Sequence, residues 1–197
     1  MNTLKVEKRN MQTKAKKLRR EGFVTGNVFG KEIEGSIPVL MTKKHADELL
    51  KTCRKGSQIM MQLDGEEMDV LIKEIDYNPL KHEIMEIDFQ KLVKGEMVHS
   101  VAEVILLNHD QVAEGIVELV LQEISYKATP ESLVETIEID LSKLRVGDEV
   151  KVKDLAIASD KNVNLQTPLE DAVVRIVEPH VAVEEPAEET EESAVEE

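Results

Sequence analysis

The chain has 197 residues and a formal net charge of −15, with 41% hydrophobic residues, only 3% aromatic residues and no tryptophan. This length favours two small domains over one large one, and the composition predicts a core built from Val, Ile, Leu and Met. A single cysteine, Cys53, cannot close an intramolecular disulfide, and no apolar N-terminal run resembles a signal peptide or a membrane span. We therefore expect a cytoplasmic protein that contacts no membrane.

The charge is distributed unevenly along the chain. Residues 1–95 carry 18 Lys and Arg against 15 Asp and Glu, a balance of +3, whereas residues 96–197 carry 7 against 25, a balance of −18. The overall negative charge argues against nucleic-acid binding. This argument does not apply to the first half of the chain, because its own charge balance is positive. A mitochondrial presequence is the rival interpretation of the basic residues 1–20. The strand-like sequence from Val6 to Arg9 and the absence of Ser from that segment argue against it.

The N-terminal segment alternates Leu4 and Val6 with charged neighbours, which predicts a half-buried strand over Thr3 to Arg9. A short helix is predicted next, with Thr13 as its N-cap and Gly22 at its C-terminal end. Cationic side chains cover most of its surface.

A second helix is predicted over Lys43 to Arg54, capped by Thr42 and ended by Gly56, because apolar residues recur there at spacings of three and four. Asp64-Gly65 is a favoured turn dipeptide, so the segments on either side of it should form a hairpin. The strands predicted in this half are Phe23 to Gly30, Ser36 to Thr42, Ser57 to Leu63, Glu67 to Ile75 and Glu83 to Leu92.

The pattern restarts after Lys94-Gly95, where we place a domain boundary because the charge balance changes there. Residues 95–179 are predicted to form a second β-rich domain, and the Glu-rich residues 180–197 a disordered acidic tail. The strands predicted in the second domain are Val98 to Leu107, Ile116 to Lys127, Glu135 to Asp140, Glu149 to Lys153 and Ala172 to Val177. The predicted fold class is therefore mainly β, a β-rich α+β protein.

The sequence offers no catalytic or metal-binding constellation. Its five histidines are scattered, Cys53 lies on an apolar helix face, and the common phosphate-binding and zinc-protease motifs do not occur. We therefore predict a protein that is not an enzyme and has no cofactor and no metal. The remaining enzymatic interpretation pairs Glu86 with Asp88, but nothing in the sequence places these two strand neighbours in an enclosed site.

The first predicted helix carries five cations within seven residues: Lys14, Lys16, Lys17, Arg19 and Arg20. A solvated helix face is the plain interpretation. Mutual repulsion of these cations, which phosphate groups would relieve, favours nucleic-acid binding instead. RNA is preferred over DNA because the segment has no helix-turn-helix or zinc-finger partner.

Several motifs, in this order and spacing, resemble a bacterial large-subunit ribosomal protein family, the one numbered twenty-five, in its long form, also called the CTC general stress proteins. The resemblance covers residues 3–179. It is carried by Arg9, Lys16-Lys-Leu-Arg-Arg-Glu-Gly22, Phe29-Gly30, Asn78-Pro-Leu-Lys81, Glu86-Ile-Asp-Phe89, Glu135-Thr-Ile-Glu-Ile-Asp-Leu-Ser-Lys-Leu-Arg-Val-Gly-Asp148 and Val152-Lys-Asp-Leu155.

The resemblance implies an N-terminal antiparallel six-stranded β-barrel with short helices, which would bind loop E of 5S ribosomal RNA (5S rRNA) in the large ribosomal subunit. It also implies that Phe29 stacks or packs beside the RNA and that Asp88 accepts a hydrogen bond from a base. The residues that it implies as phosphate ligands are Arg9, Lys14, Lys16, Lys17, Arg19 and Arg20.

Three positions depart from the family pattern: Thr25 replaces a usual Pro, Phe29 a Tyr and Glu86 a His. Glu86 is the most consequential of them, because it adds a negative charge two residues from Asp88 on the same strand face. Two hypotheses stay open. The chain is either a ribosomal protein that binds 5S rRNA, or a stress-related protein-interaction factor with weakened or lost RNA binding, whose acidic second domain serves a protein partner.

Overall fold

Two β-structures follow one another in the computed structural model, which describes residues 3–112 and 115–178. The predicted disordered tail, residues 180–197, lies outside the described residues. The first β-structure, residues 3–91, includes two α-helices, α1 (Ala15–Arg20) and α2 (Lys43–Leu50). The strands are β1 (Thr3–Lys8), β2 (Phe23–Phe29), β3 (Ser36–Thr42), β4 (Gln58–Leu63), β5 (Glu66–Asn78), β6 (Glu83–Lys91), β7 (Val98–Leu107), β8 (Ile116–Leu119), β9 (Glu123–Ala128), β10 (Thr136–Asp140), β11 (Glu149–Lys151), β12 (Val163–Leu165) and β13 (Ala172–Val177).

The first six strands close into a barrel in the order β1-β3-β2-β6-β5-β4, which confirms the mainly β class and the six-stranded barrel. Four of its pairings are antiparallel, but β1 with β4 and β2 with β6 run parallel, so the barrel is not antiparallel throughout as the resemblance implied. Alternate residues point inward because successive side chains of a strand face opposite sides. Val24, Val28, Ile87 and Phe89 fill the barrel in this way.

The β2–β6 pair requires a glycine at its centre. A Cβ atom added at Gly26 would lie 2.1 Å from the carbonyl oxygen of Ile87, which is far inside van der Waals contact. Glycine therefore allows the close backbone approach that brings the outward side chains of these two strands together.

The helix termini confirm part of the sequence interpretation. Gly22, with φ of +87°, lies just past α1 as predicted, and the Thr42 hydroxyl caps α2 by accepting from the His45 N–H at 3.3 Å. The prediction of Thr13 as the cap of α1 is wrong, because Lys14 occupies that position without a side-chain bond. Helix α2 also ends at Leu50 rather than at Arg54.

The second β-structure, residues 98–177, is called the second part. It contains a four-stranded sheet, β10-β7-β9-β12, and a three-stranded sheet, β11-β13-β8. One continuous strand over Ile116 to Lys127 was predicted, and this is wrong: β8 and β9 belong to different sheets. The chain turns between them where the N–H groups of Val120 and Leu121 both donate to the Val173 carbonyl, at 2.9 and 3.2 Å. The short β12 was not predicted.

Direct contacts join the barrel to the second part. Leu71, Leu92 and Val98 form a small buried cluster between them. Nearby, Lys55 pairs with Glu123 at 3.0 Å, and Arg54 pairs with Glu103. These contacts fix the second part against the β4–β5 side of the barrel.

No helix within residues 3–112 and 115–178 has the length and apolar character needed to cross a bilayer.

Candidate nucleic-acid interface

A cationic groove of about 530 Å³ lies on the barrel beside α1. We call it the α1 groove. Five cations and one carboxylate line it, which gives a local balance of +4 in a protein whose net charge is −15. These side chains are Lys16, Arg19, Arg20, Lys43, Lys81 and Glu83.

Helix α1 supplies the first wall of the groove. Leu18 is its buried anchor, and Lys16 and Arg20 are exposed on either side of it in the sequence. Lys17, Arg19 and Arg20 occupy the last turn, where cations are favoured by the helix dipole. The anchored apolar residue thus holds α1 against β2 while its charged side chains remain available to solvent and ligand.

The start of α2 supplies a second wall. The Lys43 N–H donates to the Gly22 carbonyl at 2.9 Å, which fixes the first residue of α2 beside the end of α1. The Lys43 ammonium donates to Glu83 at 2.9 Å. This hydrogen bond raises the pKa of Lys43 and lowers the pKa of Glu83, so both groups are charged at neutral pH.

The β5–β6 turn supplies the fifth cation. The Asn78 side-chain oxygen accepts from the N–H groups of Leu80 and Lys81, at 3.1 and 3.3 Å, which is an Asx-type turn. Lys81 is thereby presented at the groove.

Next to the groove, the outward face of β2 and β6 carries an amide between two carboxylates. The Asn27 Nδ2 group donates to Glu86 at 3.2 Å and to Asp88 at 3.1 Å. Asp88 also accepts from the Asn27 N–H at 3.0 Å. Because Glu86 and Asp88 share this donor, they lie on the same face, as predicted from their spacing.

Strand β5 enlarges this negative face. Asp76 is the register partner of Glu86, and Glu74 that of Asp88, and both are exposed. Four carboxylates therefore lie on neighbouring strands at 74, 76, 86 and 88. We call them the β5–β6 acidic face. Side by side, such groups repel one another and repel phosphate.

The eight predicted RNA-binding residues fall into three places. Lys16, Arg19 and Arg20 line the α1 groove. Lys14 occupies the N-cap position of α1 without a side-chain bond, and Lys17 pairs with Glu21 at 3.8 Å. Of the remaining three, Phe29 and Asp88 lie on the β2–β6 pair, and Arg9 follows β1, where its N–H bonds to β3.

Arg9 follows β1 and is half-buried. Its N–H donates to the Pro38 carbonyl at 2.9 Å, and Pro38 is the register partner of Asn27 on β2. Arg9 Nη2 donates to the Thr13 carbonyl at 3.3 Å, so the guanidinium links the end of β1 to the segment before α1.

Phe29 ends β2 and is half-buried, with Gln90 of β6 as its register partner. It lies roughly 20 Å along β2 from Phe23, which lines the α1 groove, since a strand rises about 3.3 Å per residue. Any ligand that meets both Phe29 and the groove must therefore extend along β2.

Sequence reasoning assigned no ligand role to Asn27, Lys43 or Lys81. Lys81 lies in the Asn-Pro-Leu-Lys motif, and the Asn-Pro turn signal could have pointed to it. Asn27 and Lys43 are brought to the site by strand pairing and by the bond to Gly22, which no local pattern indicates.

The residues that the structure describes include no group of three or more His, Cys, Asp or Glu side chains placed to hold a metal ion.

Comparison with known proteins gives two family matches in sequence order. A family model described as the Ribosomal L25p family matches residues 4–89, and one described as Ribosomal protein TL5, C-terminal domain, matches residues 97–180. Together they define the class: a ribosomal protein in which an L25p barrel is followed by a TL5-type β-structure.

Whole-chain relatives agree with this class. The large ribosomal subunit protein bL25 of Carboxydothermus hydrogenoformans is 34% identical, over 95% of this chain and 94% of the relative. The bL25 proteins of Bacillus velezensis and Dictyoglomus thermophilum are 31% and 30% identical, over 95% and 98% of this chain and 94% and 96% of those relatives. The chain belongs to the bL25 family of ribosomal proteins, in its long form.

Proposed function

We propose that the protein is a non-catalytic component of the large ribosomal subunit that binds 5S rRNA through its barrel. The family supports a structural role in the ribosome, and the relatives carry the large subunit in their names. That role also implies a cytoplasmic location. The single observation that carries the RNA assignment is the α1 groove, where five cations gather in a strongly acidic protein.

The groove suits a polyphosphate backbone better than an isolated anion. Its cations come from three separate elements, α1, the start of α2 and the β5–β6 turn, so they are spread along a surface. If four to five phosphates are neutralised, log K should fall with log salt at a slope of about −3 to −4.5.

The neighbouring β2–β6 face supports a separate role for Asp88. Asn27 holds the Asp88 carboxylate from two donors, at 3.0 and 3.1 Å, which fixes its orientation. A carboxylate in this setting accepts from base amino groups and disfavours phosphates, so it would specify a base while the groove holds the backbone. Arg9, Lys14, Lys17 and Phe29 complete the proposed footprint.

A gel-shift titration with 5S rRNA at two salt concentrations tests this function. Submicromolar binding with a steep salt slope is the expected result. Changing both Arg19→Glu and Arg20→Glu should weaken binding by a hundredfold or more, because two charge-assisted contacts together contribute about 3 to 6 kcal/mol.

The matched control is the pair Lys143→Glu and Lys161→Glu, two exposed lysines of the second part. It changes the net charge by the same amount without touching the groove. Equal losses in both variants would show that overall charge, rather than the groove, governs the interaction, and no binding by the unaltered chain would refute RNA binding itself.

The β5–β6 acidic face favours a second candidate function, that of a stress-related protein-interaction factor with weakened or lost RNA binding. Glu86 stands where the family usually has His, and Glu74, Asp76 and Asp88 surround it with further negative charge. This alternative would be supported if the unaltered chain is folded but gives no salt-dependent gel shift with 5S rRNA.

We also propose two domains, residues 1–94 and 95–179, followed by the tail at 180–197. The two large hydrophobic clusters support this division, because one is formed by the barrel with α2 and the other lies within the second part. Separate fragments of residues 1–94 and 95–179 should each unfold cooperatively in a circular-dichroism melt. A fragment without a cooperative transition would argue against an independent domain.

A further inference from the structure

The second part contains a groove of about 500 Å³ that runs along one edge of strand β10. We call it the β10 groove. All five residues of β10 line it, and because consecutive residues of a strand point to opposite faces, the groove must follow the strand's edge. Val150 of β11 and the segment from Asp154 to Asp160 form the opposite wall.

The backbone of β10 is open on the groove side among the described residues. Strand β10 is the end strand of its sheet and pairs only with β7. The Glu135 carbonyl accepts from the Glu103 N–H at 3.0 Å, and the Leu141 N–H donates to the Leu107 carbonyl at 3.1 Å. Since parallel ladders use alternate residues, the odd-numbered residues face β7 and the backbone of Thr136, Glu138 and Asp140 faces the groove.

The groove combines apolar walls with an acidic rim. Ile137, Ile139, Leu155 and Ile157 contribute buried aliphatic surface. The charged side chains that line it are all carboxylates: Glu138, Asp140, Asp154 and Asp160. Within the described ranges none of these four takes part in an ion pair.

Three rim carboxylates are held in place by hydrogen bonds through one of their oxygens. Asp140 accepts from Asn108 Nδ2 at 2.8 Å, which lowers its pKa, and from the Ser142 N–H at 2.9 Å. Asp154 accepts from the Lys151 N–H at 3.1 Å and Asp160 from the Asn162 N–H at 2.9 Å.

Two lysines beside Asp154 in the sequence pair with a carboxylate other than those of the rim. Lys151 and Lys153 both form ion pairs with Glu170, at 3.3 and 2.9 Å. Residues 184–197 of this chain contain eight Glu and no Lys or Arg, so their charge is unsuited to an acidic groove. The complementary occupant is a positively charged chain from another molecule.

We propose that the β10 groove is a docking site for an extended basic peptide of a protein partner, which adds to β10 as a further strand. Main-chain bonds to Thr136, Glu138 and Asp140 would hold the peptide, as in other cases of strand addition. Alternate Lys or Arg side chains would meet the rim, and the apolar residues between them would face the aliphatic walls. Acidic residues on an edge strand exclude acidic and apolar strands, so they select for a basic one.

The test measures binding of a dye-labelled peptide of about ten residues, in which Lys alternates with Val, to the full chain by fluorescence anisotropy. No RNA is present, so the result is independent of the proposed RNA-binding function. The basic peptide should bind in a salt-dependent way, and a peptide that alternates Glu with Val should not.

Two variants separate the backbone contact from the charge. Glu138→Pro removes an N–H that faces the groove and leaves the β7 ladder intact, because proline is tolerated on a sheet edge, and it should reduce peptide affinity about tenfold or more. Asp154→Asn with Asp160→Asn should cause a loss of about tenfold, since two ion pairs disappear. A thermal melt checks that each variant remains folded.

The matched control is Glu66→Gln with Glu67→Gln, two exposed acids at the start of β5 in the barrel, and it should leave binding unchanged. Glu74→Gln with Asp76→Asn tests the β5–β6 acidic face as a competing site. Loss of binding in either barrel variant, or equal binding by folded Glu138→Pro and the unaltered chain, would overturn the proposal.

Discussion

Replacement of Glu86 should tighten the interaction with 5S rRNA. Glu86 lies on the outward face of β6 and shares the Asn27 amide with Asp88, at 3.2 and 3.1 Å. For a phosphate ~7 Å from this carboxylate, the repulsion is about 0.6 kcal/mol at the dielectric constant of water and about 2.4 kcal/mol near a protein surface. Glu86→Gln should therefore raise affinity by a factor of about 3 to 50.

The Gln variant keeps an oxygen that can accept from Asn27, so it removes charge without removing the hydrogen bond. Glu86→His should bind more tightly still, and its advantage should grow as the pH falls below about 6.5, where histidine gains a proton. Anisotropy titrations with labelled 5S rRNA at pH 5.8 and 7.5 measure both effects. If neither variant changes affinity at low salt, Glu86 does not face the RNA, and the proposed footprint along β2 and β6 is wrong.

Three further predictions concern stability. Tyr126→Phe should lower the free energy of unfolding by about 1 to 3 kcal/mol in a denaturant titration, because the buried hydroxyl both donates to and accepts from the Val134 backbone, at 2.7 and 2.8 Å; an unchanged midpoint would contradict this. Gly26→Ala should prevent cooperative unfolding of the barrel or lower its melting temperature markedly, since the added Cβ would lie 2.1 Å from the Ile87 oxygen; a normal melt would show that β2 and β6 can separate freely. Partial desolvation, then the nearby Lys73 and Lys127, lower the pKa of the exposed His99 side chain, so the unfolded chain takes up its proton first. The free energy of unfolding should therefore fall slightly as the pH drops below about 6.5, and less so in His99→Gln; equal falls in both proteins would contradict this role of His99.

Three strands, β3, β7 and β13, have the predicted limits. In β3 and β7, alternation of more and less buried residues fixes which side meets the core. Strand β13 was found instead as a short apolar run, and it is buried on both faces. The hairpin at Asp64-Gly65 was predicted for a similar local reason, since both residues adopt positive φ angles of 50° and 96°.

Errors arose where distant residues determine the local structure. The break between β8 and β9 depends on the Val173 carbonyl, some fifty residues further along the chain, so no pattern within Ile116 to Lys127 could indicate it. The three-residue β12 is too short to show alternation and exists because it pairs with β9.

The candidate site shows the same contrast between features that local sequence indicates and features that depend on distant residues. The charge of α1 was evident from composition, and the sharing of one face by Glu86 and Asp88 followed from their spacing. The contributions of Lys43 and Asn27 could not be predicted, because they depend on a backbone bond to Gly22 and on the parallel register of β2 with β6. Long-range pairing thus assembles a surface from residues whose local sequence gives no indication of it.

Sedimentation with salt-washed large ribosomal subunits that lack their own bL25 tests the central claim most directly. The unaltered chain and the Lys143→Glu, Lys161→Glu control should pellet with the subunits, while the Arg19→Glu, Arg20→Glu variant should remain in the supernatant. If the groove variant pellets as fully as the unaltered chain, the α1 groove does not hold this protein on the ribosome.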